Sequence, residues 1–177
     1  DARTAFSRDP LEITNARVLV LGGEFSGDDD RFAVMQQAVV LSKRDSISLV
    51  WLSQEYAQVE DIDGLLRNVD ALLRTDRGAR EQSVGTLVGV LASPDGDALL
   101  GDLIRVGPEW EPDFWNAFAR SPVAVEYGPR FFRQSGLNFT RMEPRLRNIY
   151  VQGLINADAV ASVIEIIRIS PDLRADI

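Results

Sequence analysis

Residues 10–76 read PLEITNARVLVLGGEFSGDDDRFAVMQQAVVLSKRDSISLVWLSQEYAQVEDIDGLLRNVDALLRTD. The stretch spells a helix, a tight polar turn and a second helix, and then does so again. The turns fall at Gly27-Asp28 and Glu60-Asp61, 33 residues apart. That period is the one at which antiparallel helix pairs stack into an α-solenoid. In the first unit Asp9-Pro10 is a helix start, because proline at the first turn gives up an N–H that would be unpaired anyway. Ile13, Ala16, Leu19 and Val20 then form an apolar stripe at helical spacing, and Gly22, Gly23 and Gly27 weaken its end. Asp28, Asp29 and Asp30 offer a cap and favourable charge to the next helix, which carries Phe32, Met35, Val39 and Leu41 and closes at Lys43-Arg44. The second unit sets Ile47, Val50, Trp51, Leu52 and Tyr56 on one helix. After the turn, Leu65, Leu66, Val69, Leu72 and Leu73 lie on the other.

The stretch resembles the tetratricopeptide repeat. Leu49, Leu52 and Tyr56 stand where that motif carries large apolar or aromatic residues on its first helix, and Val69 and Leu72 do so on its second. In the first unit Ala16 and Leu19 suit the pattern, while Gly23 replaces the usual tyrosine and Asp28 to Asp30 add one residue. The resemblance implies an all-α, right-handed α-solenoid of stacked antiparallel hairpins. It implies binding of a partner protein on a concave surface lined by the first helix of each pair, and Arg17, Glu24, Gln54 and Gln58 would face that groove. The chain is similar to bacterial tetratricopeptide proteins with an N-terminal membrane segment. An anchored parent of that kind would put the repeats in the periplasm, an unanchored one in the cytoplasm.

The remainder continues the plan with shorter helices, so residues 1–177 are expected to form a single array: two repeat-like units over 10–76, short helical pairs over 79–135 and a closing pair over 140–177. A helix is expected from about Ala79 to Ala92, with Gly85 and Gly89 four apart and open to close helix contact. Ser93-Pro94-Asp95-Gly96, Gly107-Pro108 and Ser121-Pro122 punctuate the next helices, and Gly128-Pro129 is expected to kink one of them. From Thr140 to Ile169 Met142, Leu146, Ile149 and Tyr150 precede a turn at Asn156-Ala157-Asp158, followed by Val160, Val163, Ile164 and Ile167. Ser170-Pro171 ends the run. The chain begins at Asp1, and Ala2, Ala5 and Phe6 read as the tail of an earlier repeat. A face of this kind favours weak self-association through the N-terminal helix.

Composition narrows the chemistry. A net charge of −8 argues against nucleic acid, whose phosphates need clustered cations. Neither cysteine nor histidine occurs, which removes a thiol nucleophile, thiolate metal sites, and the commonest general base and metal ligand. No run of 18 apolar residues is present, so no membrane contact is expected of this segment. The pairs Asp28–Asp30 and Asp61–Asp63 could hold a hard cation but lack calcium-loop spacing, and helix capping accounts for them. Glu109, Glu111 and Asp113 around Trp110 invite comparison with a glycosidase acid pair, yet they crowd one short loop without the opposed geometry. Asn138-Phe139-Thr140 has the form of a glycosylation acceptor. Trp51 and Trp115 read as core. The sequence therefore points to a non-enzymatic interaction scaffold without cofactor or metal. A self-assembly segment of a larger envelope-associated repeat protein, and a lipid or glycan carrier, are the alternatives. An enzyme ranks last.

Overall fold

The structure is a computed structural model that describes residues 13–23 and 28–169. Those residues are helical, with no strand among them. The chain divides between Arg77 and Gly78 into two compact units. The expected helix start at Asp9-Pro10, the self-association surface around Phe6 and the C-terminal tail lie outside the described residues.

The first unit holds α1 (Ile13–Leu21), α2 (Asp28–Leu41), α3 (Ser46–Gln58) and α4 (Ile62–Thr75). Each packs chiefly on its neighbour in sequence: α1 on α2, α2 on α3 and α3 on α4. Helix α4 shows why. Asp61 accepts a hydrogen bond from the Gly64 N–H at 2.9 Å, capping an otherwise unpaired donor. Leu65, Val69 and Leu72, flanked by Leu66 and Leu73, then form one buried stripe. At Gly64 a Cβ would collide with the Tyr56 ring, so α3 and α4 meet at close range. Val20, Met35 and Leu52 centre a second cluster, with Phe32, Trp51 and Tyr56 half-buried around it. Phe32 meets Tyr56 edge-on at 5.1 Å. Helix α2 ends at Leu41, before the Lys43-Arg44 terminus that charge alone suggests.

The second unit holds α5 (Arg80–Gly89), α6 (Gly96–Arg105), α7 (Glu111–Arg120), α8 (Pro122–Ser135), α9 (Pro144–Asn156) and α10 (Val160–Ile169). Its packing order differs from that of the first unit. Helices α5 and α9 both pack on α7, while α6 and α10 both pack on α8. The helix expected to run through Ala92 turns instead into a 3₁₀ segment at Val90–Ala92. Prolines open α7, α8 and α9 within their first two positions, where the missing N–H is harmless. Gly136, at φ +65°, closes α8 in the left-handed conformation that glycine accepts without strain. Helix α8 is continuous from Pro122 to Ser135 and carries Pro129, the expected kink position, inside it.

Aromatic side chains fill this unit. Trp110, Phe114, Trp115, Phe118, Phe131, Phe132, Phe139 and Tyr150 are all buried. Trp115 stacks on Phe132 at 5.9 Å with 6° between planes, and Phe118 tilts against Tyr150 at 5.1 Å. The Tyr150 hydroxyl donates to the Ala124 carbonyl at 3.0 Å, which satisfies its one buried polar group. Burial pushes this phenol well above the usual tyrosine range, so it stays a donor. Gly128 is the close approach here, because a Cβ would overlap the Tyr150 hydroxyl. Gly85 and Gly89, expected to serve that purpose, are exposed, and a Cβ on either would meet open space. They occupy the outer face of α5, opposite Val84, Leu87 and Val88.

One charge lies deep in the unit. Asp97 is fully buried and takes a hydrogen bond from Arg130 Nε at 2.5 Å. Arg130 Nη2 donates to the Leu91 carbonyl and, at 3.5 Å, to that of Ser93. A single side chain on α8 thus ties down the start of α6 and the 3₁₀ turn.

Candidate partner-binding surface

Helices α7, α8 and α9 build two adjoining depressions in the second unit. A cleft of about 640 Å³ is lined by the Pro108–Asp113 segment, Trp115, Asn116 and Arg120 from one side, with Arg141, Glu143, Arg145 and Leu146 from the other. A more open groove of about 820 Å³ runs between the α7–α8 junction and α9. Arg120 lines both.

The wall of the cleft is fixed by a network that local sequence does not announce. Arg141 Nε and Nη2 each donate to one oxygen of Glu111 at 2.8 Å, and Nη2 also reaches the Ile104 carbonyl at 3.2 Å. Glu111 Oε1 accepts from Trp115 Nε1 at 2.9 Å as well. Burial works to raise the Glu111 carboxyl, but the hydrogen bonds from Arg141 and Trp115 outweigh it and hold the group below its ordinary value. Arg80 lies 3.9 Å from Glu109 and 3.5 Å from Asp113. The three acids that resemble a catalytic cluster in sequence are therefore taken up by arginines of the same unit.

The rim is different in character. Arg120 and Arg145 are exposed, and among the described residues neither has a carboxylate within ion-pair distance. Arg120 donates to the side chain of Asn116 and, at 3.1 Å, to its carbonyl. Along α9, Asn148, Gln152 and Asn156 recur four apart, all exposed and all on the groove. Gln152 Nε2 donates to Asn156 Oδ1 at 2.9 Å. Val125, Ile149 and Gly153 are half-buried and supply an apolar floor. A Cβ on Gly153 would sit 3.4 Å from Val125 Cγ2, so the glycine keeps that floor low.

The residues proposed from the repeat pattern are placed as follows. Arg17 Nη1 pairs with Asp45 at 2.9 Å, and the buried carboxylate also accepts from Ser48 Oγ at 2.6 Å. Gln54 and Gln58 are exposed on α3. Glu24 lies outside the described residues. None of the four belongs to the second unit, where the cleft and groove are. Asn116, Arg120, Arg145, Asn148 and Gln152 were missed by sequence reasoning, although amides repeating every four residues on a helix are a visible signal. Asp61 caps α4, Asp63 pairs with Arg67 at 2.8 Å, and Asn138 accepts from the Thr140 N–H at 2.9 Å. Among the described residues no cluster of three potential metal ligands occurs, and no helix is long and apolar enough to cross a membrane. No family model, curated protein or solved structure matches the chain.

Proposed function

We propose that the chain is a non-enzymatic protein-interaction module whose helices stack as an α-solenoid and present one layer to a partner. The observation that carries this reading is the alternating packing of the second unit, α5 and α9 on α7, and α6 and α10 on α8. Two such rows make a double layer, in which one row can offer a continuous outer surface while the other backs it. The groove follows from that arrangement, since it lies between two helices of the same row, α7 and α9, at the start of α8. Its large open volume, apolar floor and polar rim suit a polypeptide segment.

The test is selection of binders from a random dodecapeptide library displayed within a phage coat loop, using the intact chain as bait. Recovered peptides are expected to bind in solution and to slow amide exchange in α7 and α9. Failure to recover any peptide that binds in solution would refute the module.

A second reading, self-assembly, is favoured by one observation. Ile155, Val160 and Ile164 around the α9–α10 turn are each about half exposed, at 49%, 52% and 48%. Ile164→Glu would then lower the association seen by sedimentation. A chain that is monomeric at all concentrations removes this reading.

A further inference from the structure

We infer that the groove takes an internal, extended and acidic segment of a partner protein, its Asp or Glu side chain held by Arg120 and Arg145. This inference rests on the interaction-module reading and names the chemistry of the partner.

Three features converge on it. The first is spacing. Asn148, Gln152 and Asn156 step along α9 at intervals of four residues, which is about 6 Å on a helix. An extended chain repeats its backbone orientation every two residues, about 6.6 Å. A row of amides on one helix face therefore meets every second peptide unit of a strand-like segment in a similar orientation. Each amide carries both a donor and an acceptor, matching the N–H and C=O that an extended segment leaves unpaired and a helix does not. The bond from Gln152 to Asn156 leaves the Gln152 carbonyl and the Asn156 amide protons open to such pairing.

The second feature is charge. Glu109, Glu111 and Asp113 are already faced by Arg80 or Arg141, while Arg120 and Arg145 meet no carboxylate of the described chain. Arg120 is the one charged side chain among the residues lining the groove, and Arg145 lines the cleft that adjoins it, so the groove itself carries positive charge. On a chain of net charge −8, two guanidiniums without a carboxylate partner select a single carboxylate rather than a polyanion, which the surrounding field repels. Guanidinium is also the group best shaped for a carboxylate, through paired N–H donors.

The third feature is the floor. Val125, Ile149 and Gly153 accept an apolar side chain next to the acidic one. Arg120 stands where the groove passes into the cleft, and the cleft continues beyond it, so the bound chain can run on in both directions. That geometry takes a side-chain carboxylate from the middle of a segment.

The experiment uses the peptides recovered by the internal display library, resynthesised with blocked ends and a fluorescein label, and measured by anisotropy on the intact chain. They are expected to share an acidic residue close to an apolar one. Changing that acid to its amide should weaken binding about tenfold or more, as should Arg120→Glu or Arg145→Glu in the protein. A peptide with lysine in the acidic position should regain affinity on the Arg120→Glu variant. Gln152→Ala should weaken every peptide similarly, because it reads the backbone. Arg145 lies in the first turn of α9, where a glutamate suits the helix dipole, so that variant is expected to fold even if Arg120→Glu does not. Recovered peptides that lack acids, or whose affinity ignores both arginine variants, overturn the inference and leave the module standing. A 20-nucleotide single strand that binds with the same dependence on Arg120 and Arg145 also overturns it. With no peptide binding at all, the module reading falls and takes the inference with it.

Discussion

Replacing Gly128 by alanine tests the closest packing in the second unit. A Cβ there would overlap the Tyr150 hydroxyl and stand 2.8 Å from Phe118 Cζ and 3.1 Å from Tyr150 Cζ. In an open helix the same change would stabilise by about 1 kcal/mol, because alanine is the better helix former. Here both rings are buried and held by further aromatic neighbours, so the new methyl has no easy exit. Overpacking of this kind costs about 1–3 kcal/mol, and displacing the phenol weakens its bond to the Ala124 carbonyl by about 1 kcal/mol more. The net expectation is a loss of about 1–3 kcal/mol. Tyr150→Phe alone should cost about 1 kcal/mol and remove the atom that the methyl strikes hardest. Gly128→Ala should therefore cost less in that background, with a coupling of about 1 kcal/mol. Urea unfolding followed by tryptophan fluorescence gives the measurement, since Trp110 and Trp115 both lie in this core. A neutral or stabilising Gly128→Ala, or strict additivity with Tyr150→Phe, would refute the packing argument.

Further outcomes follow from the same structure. Gly85→Ala, on the open face of α5, should raise stability by up to about 1 kcal/mol in the same assay. Arg130→Ala strips the buried Asp97 of its cation and should cost about 3 kcal/mol by urea unfolding, whereas Arg67→Ala, half of an exposed pair, should cost less than about 0.5 kcal/mol. Because the folded-state pKa of Glu111 lies below its ordinary value of 4.5, its contribution is present above that pH and lost as pH falls through the lower folded value. Stability measured from pH 6 down to pH 3 should accordingly decline less steeply for Glu111→Gln than for the parent chain. Trp51→Ala should cost about 2 kcal/mol, less than a fully buried tryptophan would, since Trp51 only half covers the Val20–Met35–Leu52 cluster.

What the sequence made legible is local. Proline at the start of α8, the cap at Asp61 and the stripe from Leu65 to Leu73 each act within a turn or two. Their signatures survive in a single chain of letters because cause and effect lie side by side. The candidate surface was not legible in that way. The cleft wall depends on Arg141 reaching Glu111 from 30 residues away, and the anchoring of α6 on Arg130 reaching Asp97 from 33. Nothing near either arginine marks its partner. Gly85 and Gly89 illustrate the converse error: small residues at helical spacing permit close approach, but only the packing of α5 decides which face is covered. Arg17 could be placed on a helix from its neighbours, while its pairing with Asp45, 28 residues away, needed the fold.

The differing neighbour order of the two units bears on how each comes apart. In the first unit every principal contact joins consecutive helices, so each can form by closing one short loop. Such a chain can also shed its terminal helix without disturbing the next pair but one, and amide exchange should grade from its ends inward. In the second unit most principal contacts skip a helix, although α10 packs as closely on its neighbour α9 as on α8, and α7 and α8 each hold partners on both sides. Forming those contacts means ordering the intervening helix first, which raises contact order and slows the search. Once formed, neither row can lose its middle member without releasing the helices it holds, so the slowest-exchanging amides of this unit should open together, as one event.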